Sequence, residues 1–302
     1  MWKLTEGEAL DVLKALPDNS VDLVFTSPPY EDSRTYGIDY KLRGQEWVDW
    51  AFERYVECVR VSRGLVAWVV GNKTRNFKWT AVAPLLIADL HRAGVCLRNP
   101  PIFHRVGVPG SGGPDWLRAD TEWIICATPG GKLPWSDNTA TGHPPKYAPG
   151  GAMSNRTADG RRKNAPDKPE ALAARINQWG RSGSFGTKRQ KKGSLEPEKI
   201  KPSHCYDGTG PPVKANPGNL ISCPVGGGVM GSRLCHENEA PFPEKLAEFF
   251  IRSFCPPNGW VLDPFVGSGT TIAVAQMHGR HGHGVDCRAS QIELTKKRLG
   301  EL

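Results

Sequence analysis

The hydrophobic positions in the N-terminal half of the chain alternate between short apolar runs and stretches with helical spacing. Residues 21–26, 64–71 and 122–128 are dominated by apolar and β-branched side chains, which predicts buried strands. Apolar positions three and four residues apart predict helices over 47–60 and 80–93. Because strands alternate with helices, the pattern indicates a doubly wound, mostly parallel α/β sheet.

This pattern is lost in the middle of the chain and returns before the C-terminus. Between 132 and 218, Gly, Pro, Ser, Lys and Arg dominate, so this block is predicted to be a loop-rich insertion. The chain therefore divides into a core half at 1–131, the insertion, and a second core half at 219–302. The elements predicted in the second half are a helix at 243–254, a strand at 260–263, a helix after 269 and a strand at 283–286.

Composition narrows the class of protein. The 302 residues carry a formal net charge of +8 and a pI near 9.1, which favours a polyanionic partner. The eight cysteines form no CxxC pair, as is typical of a reduced intracellular protein. With no apolar leader and no apolar stretch of membrane-spanning length, we expect a soluble cytoplasmic protein with no membrane partner.

A glycine-rich loop follows the predicted strand at 260–263, in the sequence Asp263-Pro-Phe-Val-Gly-Ser-Gly-Thr270. At the carboxyl end of such a strand, glycines let the backbone approach a ligand before the next helix begins. No Lys follows Gly269, which excludes a phosphate-binding P-loop. Alone, the loop is compatible with a nucleotide-like ligand or with a plain tight turn.

A second turn, Ser27-Pro28-Pro29-Tyr30, ends the strand at 21–26. Consecutive prolines fix the backbone and remove two N–H donors, which leaves a rigid edge of carbonyl groups. Ser27 adds a hydroxyl acceptor to this edge, and Tyr30 offers a flat ring on which a base could stack. Alone, the turn could equally be a simple strand terminator.

Together the two segments resemble the catalytic and cofactor motifs of the amino-methylating DNA methyltransferases, in the order of the beta class. The resemblance implies a Rossmann-like class I methyltransferase fold with an inserted basic target-recognition region, and S-adenosylmethionine as cofactor. It places catalysis at Ser27, Pro28, Pro29 and Tyr30, with the amino nitrogen of a flipped base attacking the methyl group directly. The cofactor contacts that it implies are Asp263, Pro264, Phe265, Gly267, Ser268, Gly269, Thr270, Asp286, Glu8 and Phe242.

Individual roles follow from the same resemblance. Asp263 is expected at the cofactor's ammonium group, Asp286 at the ribose hydroxyls and Phe242 near the methionine end. Glu8 stands where the family usually has Asp at the adenine. Ser27 rather than Asp favours N4 of cytosine, with N6 of adenine as the alternative. An RNA methyltransferase and a catalytically silent DNA-binding relative are the other hypotheses.

The insertion is the expected DNA-recognition element, because its basic residues can neutralise phosphates of double-stranded DNA. The resemblance adds a homodimer and a cognate restriction endonuclease as candidate partners. The spacing of His204, Cys205, Cys223, Cys235 and His236 matches no common zinc site, so no metal is predicted. The basic residues expected to contact DNA are Arg161, Arg162, Lys163, Lys188, Arg189, Lys191 and Lys192.

Overall fold

The computed structural model describes residues 1–31, 41–108, 112–144, 147, 150–151, 153–154, 157, 214–226, 228–237 and 241–301. The chain forms two compact units. The larger comprises Met1–Thr141 and Asn216–Leu302, and the smaller comprises Gly142–Ala215. The smaller unit falls inside the predicted insertion. In the larger unit, no helix among the described residues is long and apolar enough to cross a membrane.

A mixed sheet forms the centre of the larger unit, with nine strands contributed by the described residues. The strands are β1 (Trp2–Glu6), β2 (Val21–Thr26), β3 (Ser62–Val70), β6 (Cys96–Arg98), β7 (Ile102–Val106), β8 (Thr121–Thr128), β9 (Leu220–Pro224), β10 (Trp260–Asp263) and β11 (His281–Asp286). Their order is β1-β11-β10-β2-β3-β8-β7-β9, and β6 pairs with β8. The strands from β1 to β3 in this order are parallel, whereas β8 is antiparallel to β3 and to β7. A separate hairpin pairs β4 (Thr74–Arg75) with β5 (Lys78–Trp79).

Helices cover both faces of this sheet. They are α1 (Ala9–Ala15), α2 (Gly44–Val61), α3 (Val82–Arg92), α4 (Glu244–Phe254), α5 (Thr270–Met277) and α6 (Ala289–Gly300), with a short 3-10 helix at Arg233–Glu237. On β2, Val24 packs into one core cluster, while its neighbours Leu23 and Phe25 point into the other, as strand alternation requires. The first cluster is closed by α1, α2 and α3, and the second by α4 and α5.

The doubly wound α/β prediction is confirmed, and every strand and helix predicted from the pattern is present. The pattern missed β1, β4, β5, β6, β7, β9, α1 and α6, which are short or carry mixed polar and apolar residues. The strand predicted at 122–128 exists, but it runs antiparallel to β3. A buried apolar run fixes the presence of a strand and not its direction, so this reversal was not readable from the pattern.

Candidate active site

The two sequence motifs meet at one edge of the sheet. Strands β11, β10, β2 and β3 are parallel neighbours, so their carboxyl ends lie side by side. The turn after β2 and the glycine loop after β10 therefore line the same pocket, although more than 230 residues separate them in sequence. Predicted residues on its wall are Glu8, Ser27, Pro28, Pro29, Tyr30, Phe242, Pro264, Phe265, Gly267, Ser268, Thr270 and Asp286.

The double-proline turn is held by contacts from neighbouring elements. The indole Nε1 of Trp47 on α2 donates a 2.8 Å hydrogen bond to the carbonyl of Pro29. The Oγ of Ser27 lies 3.2 Å from the carbonyl of Val69, on β3, and 3.2 Å from the hydroxyl of Tyr30. Since the single proton of the hydroxyl is donated to one of these oxygens, lone pairs of Ser27 remain available as acceptors.

Tyr30 is anchored at its hydroxyl by a buried acid that the sequence did not indicate. The hydroxyl donates a 2.8 Å hydrogen bond to Oε2 of Glu122 on β8. The other oxygen of Glu122 lies 3.1 Å from Nη1 of Arg105 on β7. Burial raises the pKa of Glu122, and the charge of Arg105 and the hydrogen bond from Tyr30 limit that rise. The orientation of the Tyr30 ring is thereby fixed from a strand beyond β3.

Gly71 leaves the space that this ring occupies. A Cβ atom at position 71 would lie only 2.8 Å from Cε2 of Tyr30, closer than side chains pack. Gly71 directly follows β3, so the ring rests against the end of the neighbouring strand. The position of Tyr30 thus depends on a glycine that carries no motif signature.

The glycine loop depends on two left-handed backbone conformations. Gly267 has a φ of 50° and Gly269 a φ of 78°, a region that other residues rarely adopt. A Cβ atom on Gly269 would lie 2.6 Å from Cγ2 of Thr295 on α6. The hydroxyl of the same Thr295 donates a 2.8 Å hydrogen bond to the carbonyl of Gly267. Gly269 therefore shapes the loop from behind and does not line the pocket.

A buried arginine ties this loop to two helices. Arg298, on α6, is 2% exposed and donates to the carbonyl of Ser268 at 3.1 Å and to the hydroxyl of Thr270 at 2.9 Å. Its Nη2 also lies 2.6 Å from Oε1 of Glu244, at the start of α4. No local pattern marks this residue, because its partners are 28 to 54 positions away. Arg298 is the anchor of the glycine loop.

Asp263 is placed behind the pocket and does not line it. Its carboxyl group is 1% exposed, and Oδ1 accepts hydrogen bonds from the hydroxyl of Thr26 at 2.5 Å and the amide of Phe265 at 3.1 Å. Within the described part of the chain, the buried Oδ2 has no hydrogen-bond partner. Burial raises the pKa of Asp263 to about 6, although hydrogen bonds from the hydroxyls of Thr26 and Thr271 and the amide of Phe265 favour the ionised form.

Asp286 lies on the pocket wall, at the end of β11. Its Oδ2 accepts a 3.1 Å hydrogen bond from the amide of Gly267, and its Oδ1 accepts one of 3.0 Å from the amide of Arg288. One carboxylate thus fixes the glycine loop and the turn after β11 together. Cys287 and Arg288 also line the pocket and were not predicted.

Glu8 and Phe242 lie on the wall with further contacts of their own. Glu8 caps α1, accepting a 2.6 Å hydrogen bond from the amide of Leu10 through Oε2. Its Oε1 pairs with Nη2 of Arg54 at 2.7 Å, so both oxygens already have partners. Phe242 packs edge-on against Phe25, with ring centroids 5.3 Å apart.

An aromatic wall completes the pocket. Trp50, on α2, lines it together with Phe265 of the glycine loop, and the two ring centroids are 5.7 Å apart. The guanidinium carbon of Arg54 lies 4.4 Å from the centroid of Trp50, within cation–π range. Helical spacing had indicated only that the helix carrying Trp50 packs on the sheet.

The basic residues predicted to contact DNA, from Arg161 to Lys192, lie outside the described residues, and so do His204 and Cys205. Cys223 is buried in β9. No group of three metal-ligating side chains occurs within the ranges that the structure describes.

Comparisons with known proteins identify the family of the chain. The N6/N4 methyltransferase family model, described as a DNA methylase, matches residues 21–297. Among curated relatives, the Type II methyltransferase M.BglII of Bacillus subtilis is 26% identical, covering 97% of this chain and 67% of its own length. The DNA adenine methyltransferase YhdJ of Escherichia coli K12 is 24% identical, covering 98% and 82%.

Solved structures share the fold. PvuII DNA methyltransferase, described as cytosine-N4-specific, aligns with a TM-score of 0.63 at 18% identity, covering 98% of this chain and 86% of that one. TTHA0409 of Thermus thermophilus, solved with S-adenosyl-L-methionine, aligns with a TM-score of 0.56 at 20% identity, covering 100% and 95%. Because the family match spans most of the chain and includes both motifs, the protein belongs to the N6/N4 family of DNA methyltransferases, which use S-adenosylmethionine as cofactor.

Proposed function

We propose that this DNA methyltransferase modifies the N4 amino group of cytosine in duplex DNA. The observation that carries the proposal is the neutral hydroxyl of Ser27 at the catalytic turn, with its proton directed to protein oxygens. An exocyclic amino group is a poor nucleophile because its lone pair is delocalised into the ring. Acceptors at the amino hydrogens restore nucleophilicity, and Ser27 with the carbonyl of Pro28 supplies them.

The rigidity of the turn supports the same role. Prolines 28 and 29 fix two backbone angles, and Trp47 holds the Pro29 carbonyl from the side. A fixed acceptor pair can hold the amino nitrogen in line for transfer, where small errors of position are costly. Tyr30 supplies the face on which the flipped base stacks, and its anchor on Glu122 keeps the ring oriented.

The residues that line the pocket support the cofactor assignment. When bound, S-adenosylmethionine supplies a methyl group activated by a sulfonium centre. We assign the ribose hydroxyls to Asp286, the methionine end to Phe242, and the backbone approach to Gly267 and Ser268. The ammonium contact expected at Asp263 stays a prediction, because its carboxyl group is 1% exposed and lies behind the residues that line the pocket.

The assignment for Glu8 is the family's adenine contact. Both of its oxygens already bond to the α1 amides and to Arg54, so we propose that it acts through a remaining lone pair while holding the start of α1. Trp50 and Phe265 offer the flat apolar surface beside which an adenine ring would lie.

N6-adenine is the second candidate product. The relatives include enzymes for both bases, since PvuII methyltransferase is described as cytosine-N4-specific and YhdJ as a DNA adenine methyltransferase. A serine hydroxyl can accept from either amino group. The cytosine proposal therefore depends on the absence of a carboxylate at position 27.

The test is mass spectrometry of nucleosides from unmethylated duplex DNA incubated with the protein and methyl-labelled S-adenosylmethionine. Labelled N4-methylcytosine supports the proposal, and labelled N6-methyladenine keeps the mechanism but refutes the inference from Ser27. Ser27→Ala should lower the rate of transfer with cofactor affinity unchanged. Ser253→Ala, which removes a buried hydroxyl on α4, is the matched control and should keep wild-type activity.

The partners predicted from the resemblance belong to this proposal as well. We expect the basic residues of the insertion to bind phosphates, and a homodimer and a cognate restriction endonuclease stay predictions. Light scattering of the purified chain gives its oligomeric state directly. Loss of DNA binding on replacing Arg161, Arg162 and Lys163 with Ala would support the insertion as the recognition element.

A further inference from the structure

A basic and aromatic hairpin lies at the edge of the sheet that carries the catalytic turn. We propose that the β4–β5 hairpin (Thr74–Trp79) contacts the DNA duplex beside the flipped base, with Arg75 and Lys78 on phosphates and Phe77 against the bases. The hairpin is separate in sequence from the insertion, and the proposal rests on the proposed function, because it takes duplex DNA as the substrate.

The hairpin lies close to the catalytic turn. It follows β3, whose parallel neighbour β2 leads into the catalytic turn, so both connections leave the sheet at the same edge. Gly71, between β3 and the hairpin, packs directly against the ring of Tyr30. A duplex that delivers a base to Tyr30 must therefore approach within a few residues of this hairpin.

The hairpin exposes large apolar side chains. Phe77 lies at its turn and is 70% exposed, and Trp79 on β5 is 49% exposed. Phe77 also has a φ of 60°, a conformation that is costly for a bulky side chain. Its ring makes an edge contact with Trp116, at 5.5 Å between centroids, which extends the aromatic surface toward Leu117, itself 90% exposed. Such a patch marks an interaction site more often than a solvated loop.

The charges select the partner. Arg75 and Lys78 are directly opposite each other across the hairpin, so two positive charges lie side by side on it. Both side chains are exposed. This pair of exposed positive charges favours a polyanion over a neutral protein surface, and the phosphates of a duplex fit it while the aromatic tip meets base edges or the gap in the stack.

The test measures the affinity for a mixed-sequence DNA duplex by fluorescence anisotropy over a series of salt concentrations. For Arg75→Ala with Lys78→Ala we expect the magnitude of the slope of log K against log salt concentration to fall by about two, since each phosphate contact contributes about one. Phe77→Ala should weaken binding about tenfold while leaving the slope unchanged, because it removes stacking and no charge.

The matched control is Lys14→Ala with Lys297→Ala. Both lysines are exposed, and they lie in the last turns of α1 and α6, which start at the catalytic edge and end away from it. This double variant removes the same charge and should keep the wild-type slope within a few tenths. Cofactor affinity, measured by calorimetry for every variant, verifies that the site is folded.

Three outcomes separate the two proposals. If the wild-type protein methylates DNA and only the hairpin variants lose slope or affinity, the inference is supported. If the wild-type protein methylates DNA but the Arg75 and Lys78 variant keeps its slope, or changes only the oligomeric state, the inference is overturned. If the wild-type protein neither binds nor methylates DNA, the proposed function fails, and this inference fails with it.

Discussion

Asp263 allows the sharpest test of the site, because its ionisation links stability, pH and cofactor binding. The change is Asp263→Asn, which keeps the shape and the Oδ1 acceptor of the side chain but cannot ionise. Burial raises the pKa of this carboxyl group from 3.8 to about 6. The folded protein therefore holds the proton more tightly than the unfolded chain does.

The sign and size of the effect follow from this difference. Between about pH 4 and about pH 6 the folded state binds more protons than the unfolded state, so the free energy of unfolding falls as pH rises. A difference of about two pKa units corresponds to about 3 kcal/mol, which is lost in full above about pH 7. The Asn variant does not lose this free energy. The free energy of unfolding of the wild type, relative to that of the variant, should therefore be lowest near neutral pH.

Urea unfolding of both proteins over this pH range measures the difference, with Asp115→Asn, at an exposed site, as the control. Comparing the two proteins across pH cancels any constant cost of the new amide. The affinity for S-adenosylmethionine should rise with pH through about 6 in the wild type and stay low and flat in Asp263→Asn. A stability difference that does not vary with pH would refute the buried, perturbed carboxyl group. Equal cofactor affinities would refute its role at the ammonium group.

Substitutions at three other positions test the residues that support the pocket. Gly71→Ala should displace the ring of Tyr30, so kcat/KM in a methylation assay should fall about 100-fold while cofactor affinity stays unchanged. The control is Gly300→Ala, where the added methyl group meets open space and kcat/KM should keep its wild-type value. Tyr30→Phe, which retains the ring but loses its anchor, should cost about tenfold in kcat, and Tyr30→Ala should cost more; equal losses would argue against stacking. Arg298→Met should lower the free energy of unfolding by about 3 kcal/mol, with Arg298→Lys restoring part of it in urea titrations.

The sequence could predict those parts of the site that depend on chain-local geometry. Strand ends, a proline turn and a glycine loop are local, and parallel topology brings strand ends to one edge, so Ser27 and Gly267 could be placed together in advance. The residues that hold them could not, because they act across the fold. Glu122 reaches Tyr30 from 92 positions away, on a strand whose direction the apolar pattern does not encode.

Two charged side chains also show that distant partners cannot be predicted from the sequence. The pattern around Glu8 indicated a cofactor contact, and nothing local showed that Arg54, 46 residues later, occupies one of its oxygens. Asp263 was expected to face the cofactor directly, whereas it is buried behind the loop with Thr26 as partner. A motif predicts which residue type stands at a position. Packing in the folded protein decides which atoms of that side chain remain free to contact a ligand.

Arg298 lies one residue beyond the region matched by the family model, which ends at position 297. A fragment trimmed to the matched region would retain the catalytic turn and the glycine loop, yet it would leave Glu244 without its buried cation and the carbonyl of Ser268 without its donor. It would also lose β1, the strand at one side of the sheet, and Glu8 with it. Boundaries drawn from family matching alone would thus yield a chain that keeps its two central motifs but lacks contacts that hold them in place.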